Sequence, residues 1–576
     1  YLESANSFTG GLQINAGDVN FTDDNRLGAA GESVVLNGGT LTPVIFNTQT
    51  MSIRGFEVGR GGGTISAQAN GGVTGQTVIL GGPITGTGNL LFTGDSEASY
   101  LVNLANDGFS GDVDIRYIDV RLGTSEATLG SGDIRFTSGN GSLILEAAAT
   151  VNNRLLFIGD GLGVNAVQVN STGATLAGDI IMQVNGSIWS QVAGNSVTTI
   201  SGDISGFGPL RLGTASGSSS SNHTFILSGD NVHTAMEIGG ITRIMSEQAL
   251  GVETASLTFV NASDSATTGF GGTLQAGADN IELSMTRSLV VNTGVGNARI
   301  DTQGYTMTVA STISGNSHLT KVGTGRLVLT GNNTLTGYTT VAAGTLQVGA
   351  GGTQDLPAYG SVAGVGVIVN GSGAVLAGTG RILSDTTVQQ GQIRAGDQTG
   401  SADGRGTLTF GGSVTLTGSG SSIRFGVGGA TGNGSPWIIN GTDISALASG
   451  APSLMSGIAG NHDHLQFTGS GTLVWNPGAK LTVEFENGYS GGWAHVLNLM
   501  DWVTAMSTTG SYTVGGFILG NGDEGADLEL PDLTGTGLYW DTTLFKSHGV
   551  LVMVPEPGRA MLIMAGLTAL LFRRRR

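Results

Sequence analysis

GTGRLVLTGNNTLTGYTTVAAGTLQVG, Gly323 to Gly349, is the stretch whose reading decides the fold. Short runs of Val, Leu and Thr end at Gly or Asn, the residues suited to corners where φ must be positive. In GTLQV, Leu346 and Val348 fall on one face and their neighbours on the other, the period of a strand. The pattern occurs three more times, as NSFTGGLQINAGDVNF from Asn6, NDGFSGDVDIRYIDVRL from Asn106 and DNVHTAMEIGGITRI from Asp230. Phe8 and Phe21, Phe109 and Leu122, and Leu335 and Val348 are each 13 residues apart. The third copy breaks that spacing and puts His233 where the others have Phe or Leu. An apolar lead-in precedes each later copy: GGPITGTGNLLF from Gly81, SGDISGFGPLRL from Ser201 and ASTISGNSHLTKVGTGRLVL from Ala310. YLESANSF at the start lies over VLTGNNTL, Val328 to Leu335, so the chain opens inside a repeat, which predicts a truncated N-terminus.

A cycle of about a hundred residues, with a strand every ~8–12, is several turns of a solenoid rather than one blade or domain. Composition agrees. Glycine accounts for 101 of 576 residues, with no three-residue period and only 10 prolines, which excludes collagen. Charged residues are 11 % and hydrophobic residues 39 %, too apolar for simple disorder. Turns of roughly 20–25 residues are expected, with apolar side chains and Thr or Asn inside and Gly or Asn at corners. Residues 1–555 hold 41 acids against 19 bases, a balance that repels phosphate backbones, so no nucleic acid partner is expected. Cysteine is absent, which removes disulfides, thiolate metal sites and Cys nucleophiles.

Gly323 to Gly349 resembles the autotransporter-associated β-strand repeat of bacterial surface-protein passengers. LNGGTL, Leu36 to Leu41, and FGGTLQA, Phe270 to Ala276, resemble the opening of the same cycle. The resemblance implies a right-handed parallel β-helix outside the cell; it does not imply catalysis or a cofactor. The expected fold is therefore all-β, with the β-helix over residues 1–400 and a small β-rich cap over 401–552. A membrane tail with a single short C-terminal membrane helix is expected over 553–576. Paired strands around Gly406–Phe410 and Ser413–Thr417 read as broader hairpins at the end of the rod. Trp475, Trp493, Trp502 and Trp540 then supply the aromatics that a sealed solenoid end needs.

The last residues read VPEPGRAMLIMAGLTALLFRRRR from Val554. The 13 uncharged residues Ala560 to Phe572 reach about 20 Å as a helix, short of the ~30 Å hydrocarbon core. The arginines after them would hold that end in the cytoplasm. Pro555-Glu556-Pro557 favours extended, exposed backbone. Motif, apolar run and Arg cluster together resemble a PEP-CTERM sorting signal. That resemblance implies that Pro555, Glu556 and Pro557 are read by an exosortase, that Ala560 to Phe572 enter the inner membrane and that Arg573, Arg574, Arg575 and Arg576 form a basic stop. It further implies an exported protein, first membrane-anchored, then at the cell surface or in a matrix of extracellular polysaccharide.

The chemistry-bearing residues are few. His462 and His464 share strand parity and could hold a cation, or flank a turn made by Asp463. Asp112, Asp114 and Asp119 are the acids that a carbohydrate-active β-helix enzyme would draw on, although their positions vary between copies. Gly94-Asp95-Ser96-Glu97 departs from a Gly-Asp-Ser-Gly nucleophile motif at its fourth residue. Asp523, Glu524 and Asp527 lack the regular calcium-binding nonapeptide around them. His223, His233 and His318 stand alone. The expectation is a non-enzymatic structural or adhesive surface protein, against the alternative of a polysaccharide lyase or hydrolase with the same tail; no catalytic, cofactor or metal residue is assigned.

Overall fold

The computed structural model describes every residue except 47–49, 71–74, 160–165, 193, 215–221, 262–269, 292–296, 350–354, 357–365, 398–403, 429–461, 487, 493–494, 502–505 and 557–576. It divides into two compact units, Tyr1–Arg299 and Ile300–Arg576. Both are β structures dominated by parallel pairing.

In the first unit the chain coils so that equivalent strands stack. One ladder passes through Leu90–Gly94, Val113–Arg116, Ile134–Ser138, Leu155–Phe157, Ile180–Met182 and Ile204–Gly206. Leu90 lies beside Val113, then Ile134, Leu155, Ile180 and Ile204, so each turn consumes 21 to 25 residues. The nine strands of this ladder rise roughly 38 Å at ~4.8 Å per strand. Alternation decides the inside. Phe92, Ile115, Phe136, Phe157 and Met182 form one inward row, all fully buried, with the Phe136 and Phe157 rings stacked at 4.9 Å. A second ladder stacks Tyr100, Val120, Leu143, Val167, Ile188, Leu212, Ile238, Phe259 and Val291, again without exposure. Each such side chain contributes about 1.5–3 kcal/mol by leaving water. The turn-on-turn rows supply cohesion where no disulfide exists.

Corners are fixed by side chains as well as by glycine. Asn106 is buried; its Oδ1 accepts from the Ile84 amide at 2.7 Å and its Nδ2 donates to Thr128 O. Asn231 repeats this with the Ile204 amide at 2.7 Å and Ala249 O. In the second unit Asn333 accepts from the Ile313 amide at 2.9 Å. Each of these isoleucines opens an Ile-Thr-Gly or Ile-Ser-Gly lead-in whose glycine has positive φ, 105° at Gly206. The repeated Asn therefore caps the turn before it, a buried amide that would otherwise lack a partner.

In the second unit the parallel coil runs through Thr306–Val309, Arg326–Leu329, Thr345–Val348, Val367–Gly378, Thr386–Ala395, Ser421–Gly428, Lys480–Glu486 and Leu528–Glu529. Leu346 and Val348 are fully buried, as their spacing requires. The hairpin expectation near residue 410 is corrected. Thr407–Phe410 and Val414–Leu416 do not pair with each other; the first lies parallel to His464–Phe467 and the second to Leu473–Trp475. The glycines between them turn the chain from one face of the coil to the next. Alternation and turn residues are the same for that corner as for a hairpin, so only pairing at long range distinguishes them.

Among the described residues, antiparallel pairing dominates only near the end, where Val550–Pro555 lies between Val496–Asn498 and Leu538–Asp541. A single helical turn, Phe545–His548, precedes the central strand. Trp475 and Trp540 are fully buried and donate their indole N–H groups to Ala479 O and Pro531 O. Trp475 meets Tyr512 and Phe545, and Trp540 meets Phe485, joining the last coils to this sheet. Trp493 and Trp502 lie outside the described residues. Among the described residues no helix is long and apolar enough to cross a membrane. Ala560 to Phe572, the expected membrane helix, and Arg573 to Arg576 fall outside them.

Candidate functional site

The Pro555-Glu556-Pro557 triplet begins inside the terminal sheet. Pro555 closes the central strand opposite Leu538, and the Glu556 amide donates to Gly537 O at 3.0 Å. The backbone is extended, as Pro555 and Glu556 predict, but both are half-buried rather than exposed, because the strand pairing carries into the motif. Pro557 lies outside the described residues.

His462, Asp463 and His464 meet a cluster that the motif alone did not reveal. Asp463 is buried; its amide donates to Gly426 O and its Oδ2 accepts from the Gly426 amide, each at 2.8 Å. Burial pushes the Asp463 carboxyl up to about 7, against the pull of the Gly426 amide and of Arg394, whose Nε lies 3.9 Å away. His464 and His462 engage different partners. His464 Nε2 is 3.3 Å from Asp501 Oδ2, while His462 Nδ1 donates to Asp463 O at 3.0 Å. Burial pushes His462 down to about 4. Burial would raise Asp501, but hydrogen bonds from His464 and Asn498 outweigh it and hold that carboxyl low. Among the described residues, no three His, Asp or Glu side chains gather as metal ligands would.

Around this motif, Arg394, Arg405 and Arg424 converge on Glu486, with Arg394 Nη2 at 2.9 Å, Arg424 Nη2 at 3.3 Å and Arg405 Nη1 at 3.4 Å from its carboxylate. Arg424 also holds Glu484. The signal for this cluster was a repeated Ile-Arg: Ile393 and Arg394 stack in register on Ile423 and Arg424. The charges are spent on one another, so the cluster braces adjacent turns rather than presenting a free acid–base pair.

The remaining acids behave similarly. Arg135 bridges Asp112 at 3.1 Å and Asp114 at 2.8 Å. Burial pushes the Asp114 carboxyl up against the pull of Arg135 and Arg116. Asp119 is not drawn into that pair; it is raised by burial and bonded to Ser142. Asp95 Oδ2 accepts the Ala69 amide of the preceding coil. Asp523, Glu524 and Asp527 accept backbone amides of Leu519, Gly522 and Gly478 respectively, which makes them loop staples. His223 lies inside the coil between Ser196 Oγ at 2.6 Å and Thr198 Oγ1 at 3.1 Å, held down to about 4 by burial. His233 is buried at the position that Phe109 and Leu335 take in other copies.

Two arginines were missed entirely. Arg54 grips the 3₁₀ turn Asp24–Leu27, bonding Asp24 and the carbonyls of Ala29, Glu32 and Gly28. Arg287, fully buried, does the same for Glu247–Leu250, bonding Leu250 O at 2.9 Å, Ala255 O at 3.2 Å and Gly251 O at 3.3 Å, with Glu247 at 3.4 Å. Both turns end in Leu-Gly, Leu27-Gly28 and Leu250-Gly251, which is the sequence signal. The outward face that remains is mixed: Thr64, Leu91, Asp114, Arg135, Leu156, Ile181 and Ser205 form one row along the first unit's ladder.

The described residues form stacked parallel coils with a braced, mixed outer face. The Passenger-associated-transport-repeat family model matches residues 1–20 and 319–348, the first and last of the four copies. The chain is also similar to the Adhesin BmaC autotransporter of Brucella suis biovar 1 (strain 1330), 27 % identical over 513 residues. That alignment takes in 77 % of this chain but only 14 % of the relative, so the chain spans a small part of the protein it matches.

Proposed function

We propose that this chain is a non-enzymatic adhesive scaffold displayed on the cell surface or in an extracellular matrix. The observation that carries this reading is the pair of uninterrupted inward rows. They hold the outward residues of successive turns at one spacing, a ruler-like face suited to repeated weak contacts with polysaccharide or with neighbouring chains. The similarity to an adhesin supports it. In this reading the protein is exported and held in the inner membrane by Ala560 to Phe572, with Arg573 to Arg576 as the stop. An exosortase then engages Pro555, Glu556 and Pro557. Labelling of intact producing cells with antibody to the chain, together with cosedimentation of the purified chain with their extracellular polysaccharide, tests it. Surface labelling and saturable cosedimentation are expected; a chain confined to the cytosol refutes it.

The carbohydrate-active alternative would need Glu484 or Glu486 released from the arginines that hold them in the Arg394–Arg405–Arg424 cluster. Release of reducing ends from the same polysaccharide, abolished by Glu484→Gln with Glu486→Gln, would establish that alternative instead.

A further inference from the structure

Among the described residues, the terminal antiparallel sheet has one buried face and, at one end, a partly exposed opposite face. Trp540 and Met553, paired across it, are fully buried. On the opposite face the directly paired Tyr539 and Val554 are half-buried, and the Phe517 ring, 58 % exposed, packs edge-on against Tyr539 with centroids 5.5 Å apart. Phe517 is held there by its neighbour, since Ile518 bridges to Trp540. Along the central strand, exposure rises only at its C-terminal end: Val550 to Met553 are buried, Val554 and Pro555 are not. The partly exposed apolar end of the sheet is therefore the end from which the chain leaves.

Only Pro557, Gly558 and Arg559 separate Glu556 from Ala560, so Glu556 stays within about 14 Å of the uncharged run even when fully extended. The headgroup layer on one side of a bilayer is itself roughly 5–8 Å thick. The run is also about 10 Å shorter as a helix than the hydrocarbon core, so mismatch draws both of its ends inward. Aromatic rings at such a depth sit where Tyr and Phe bodies are favoured, at the boundary between acyl chains and headgroups.

We infer that Phe517, Tyr539 and Val554 form a membrane-interface contact, a lipid-facing patch that seats the terminal sheet on the outer side of the same bilayer that holds the tail. This rests on the membrane reading of Ala560 to Phe572. The contact exists while the tail is attached, and it places Pro555 and Glu556 at headgroup level.

The chain contains no cysteine, so single reporters can be introduced. The full chain carrying Phe517→Cys, Thr568→Cys or Ser125→Cys, each labelled with nitrobenzoxadiazole, is reconstituted in dioleoylphosphatidylcholine vesicles containing spin-labelled phosphatidylcholine. Thr536→Cys, beside Gly537, gives a second reporter that leaves all three patch residues in place. The expected result is at least a twofold loss of emission at 517, 536 and 568, with 125 unaffected. Quenching at 568 without quenching at 517 and 536 overturns the patch and leaves the tail reading intact. Quenching at none of the four overturns both.

Discussion

Asn332 and Asn333 are adjacent, identical in chemistry and opposite in role. Asn332 is exposed. Asn333 is buried; its Oδ1 accepts from the Ile313 amide at 2.9 Å and its Nδ2 donates to Gly331 O at 3.1 Å. Asn333→Ala removes both bonds and leaves a buried amide without its acceptor, a loss of about 1–3 kcal/mol. At about 1.4 kcal/mol per decade, a central value of 2 kcal/mol raises the local opening frequency roughly thirtyfold. Global unfolding is a poor readout, because a solenoid need not open as one cooperative unit. Amide hydrogen exchange followed by mass spectrometry resolves the peptide containing Ile313 directly. Faster exchange there in Asn333→Ala, with Asn332→Ala indistinguishable from the parent, is the expected pair of results. Equal effects of the two substitutions, or none, would refute the corner-capping reasoning.

Other consequences follow from the same contacts. Arg287→Met strips the donors from three carbonyls and strands Glu247, and should destabilise the turn Glu247–Leu250 by about 3 kcal/mol, read as lost exchange protection over residues 247–256. Gly130→Ala forces a residue at φ 84° against Phe109 O, with a cost of at least about 1 kcal/mol, visible as faster exchange over residues 104–131. Asp463 keeps its proton up to about 7 when folded but only to about 3.9 when unfolded, so the folded state binds the extra proton and stability falls as pH rises from 4 to 7. Asp463→Asn should flatten that decline in a pH series of denaturant melts. His462, held down to about 4, acts oppositely: its contribution is present above about 6.5 and is lost as pH falls toward 4.

What could be read from the sequence was what repeats locally. Leu346 and Val348, two apart, announce a buried row, and the structure buries both. The parallel pairing of Thr407–Phe410 with His464–Phe467 could not be read, because 57 residues separate the paired Thr407 and His464. The same distance problem hid the arginine clamps: Arg54 reaches back 30 residues to Asp24, and Arg287 reaches back 40 to Glu247. At His462-Asp463-His464 strand parity left a shared cation and a turn around Asp463 both open. Asp501, 37 residues beyond His464, engages one histidine, and the buried carboxylate between them turns to Gly426. His233 shows the reverse case. Its place in the repeat specified burial even though its chemistry argued for exposure.

The central claim, a surface scaffold addressed by its tail, is tested most directly by fractionating the producing cells and determining the C-terminus of the surface-associated chain by mass spectrometry. A chain recovered at the surface or in the matrix that ends close to Pro555-Glu556-Pro557, without Ala560 to Phe572, is the expected result. Recovery at the cell surface of intact VPEPGRAMLIMAGLTALLFRRRR would contradict it.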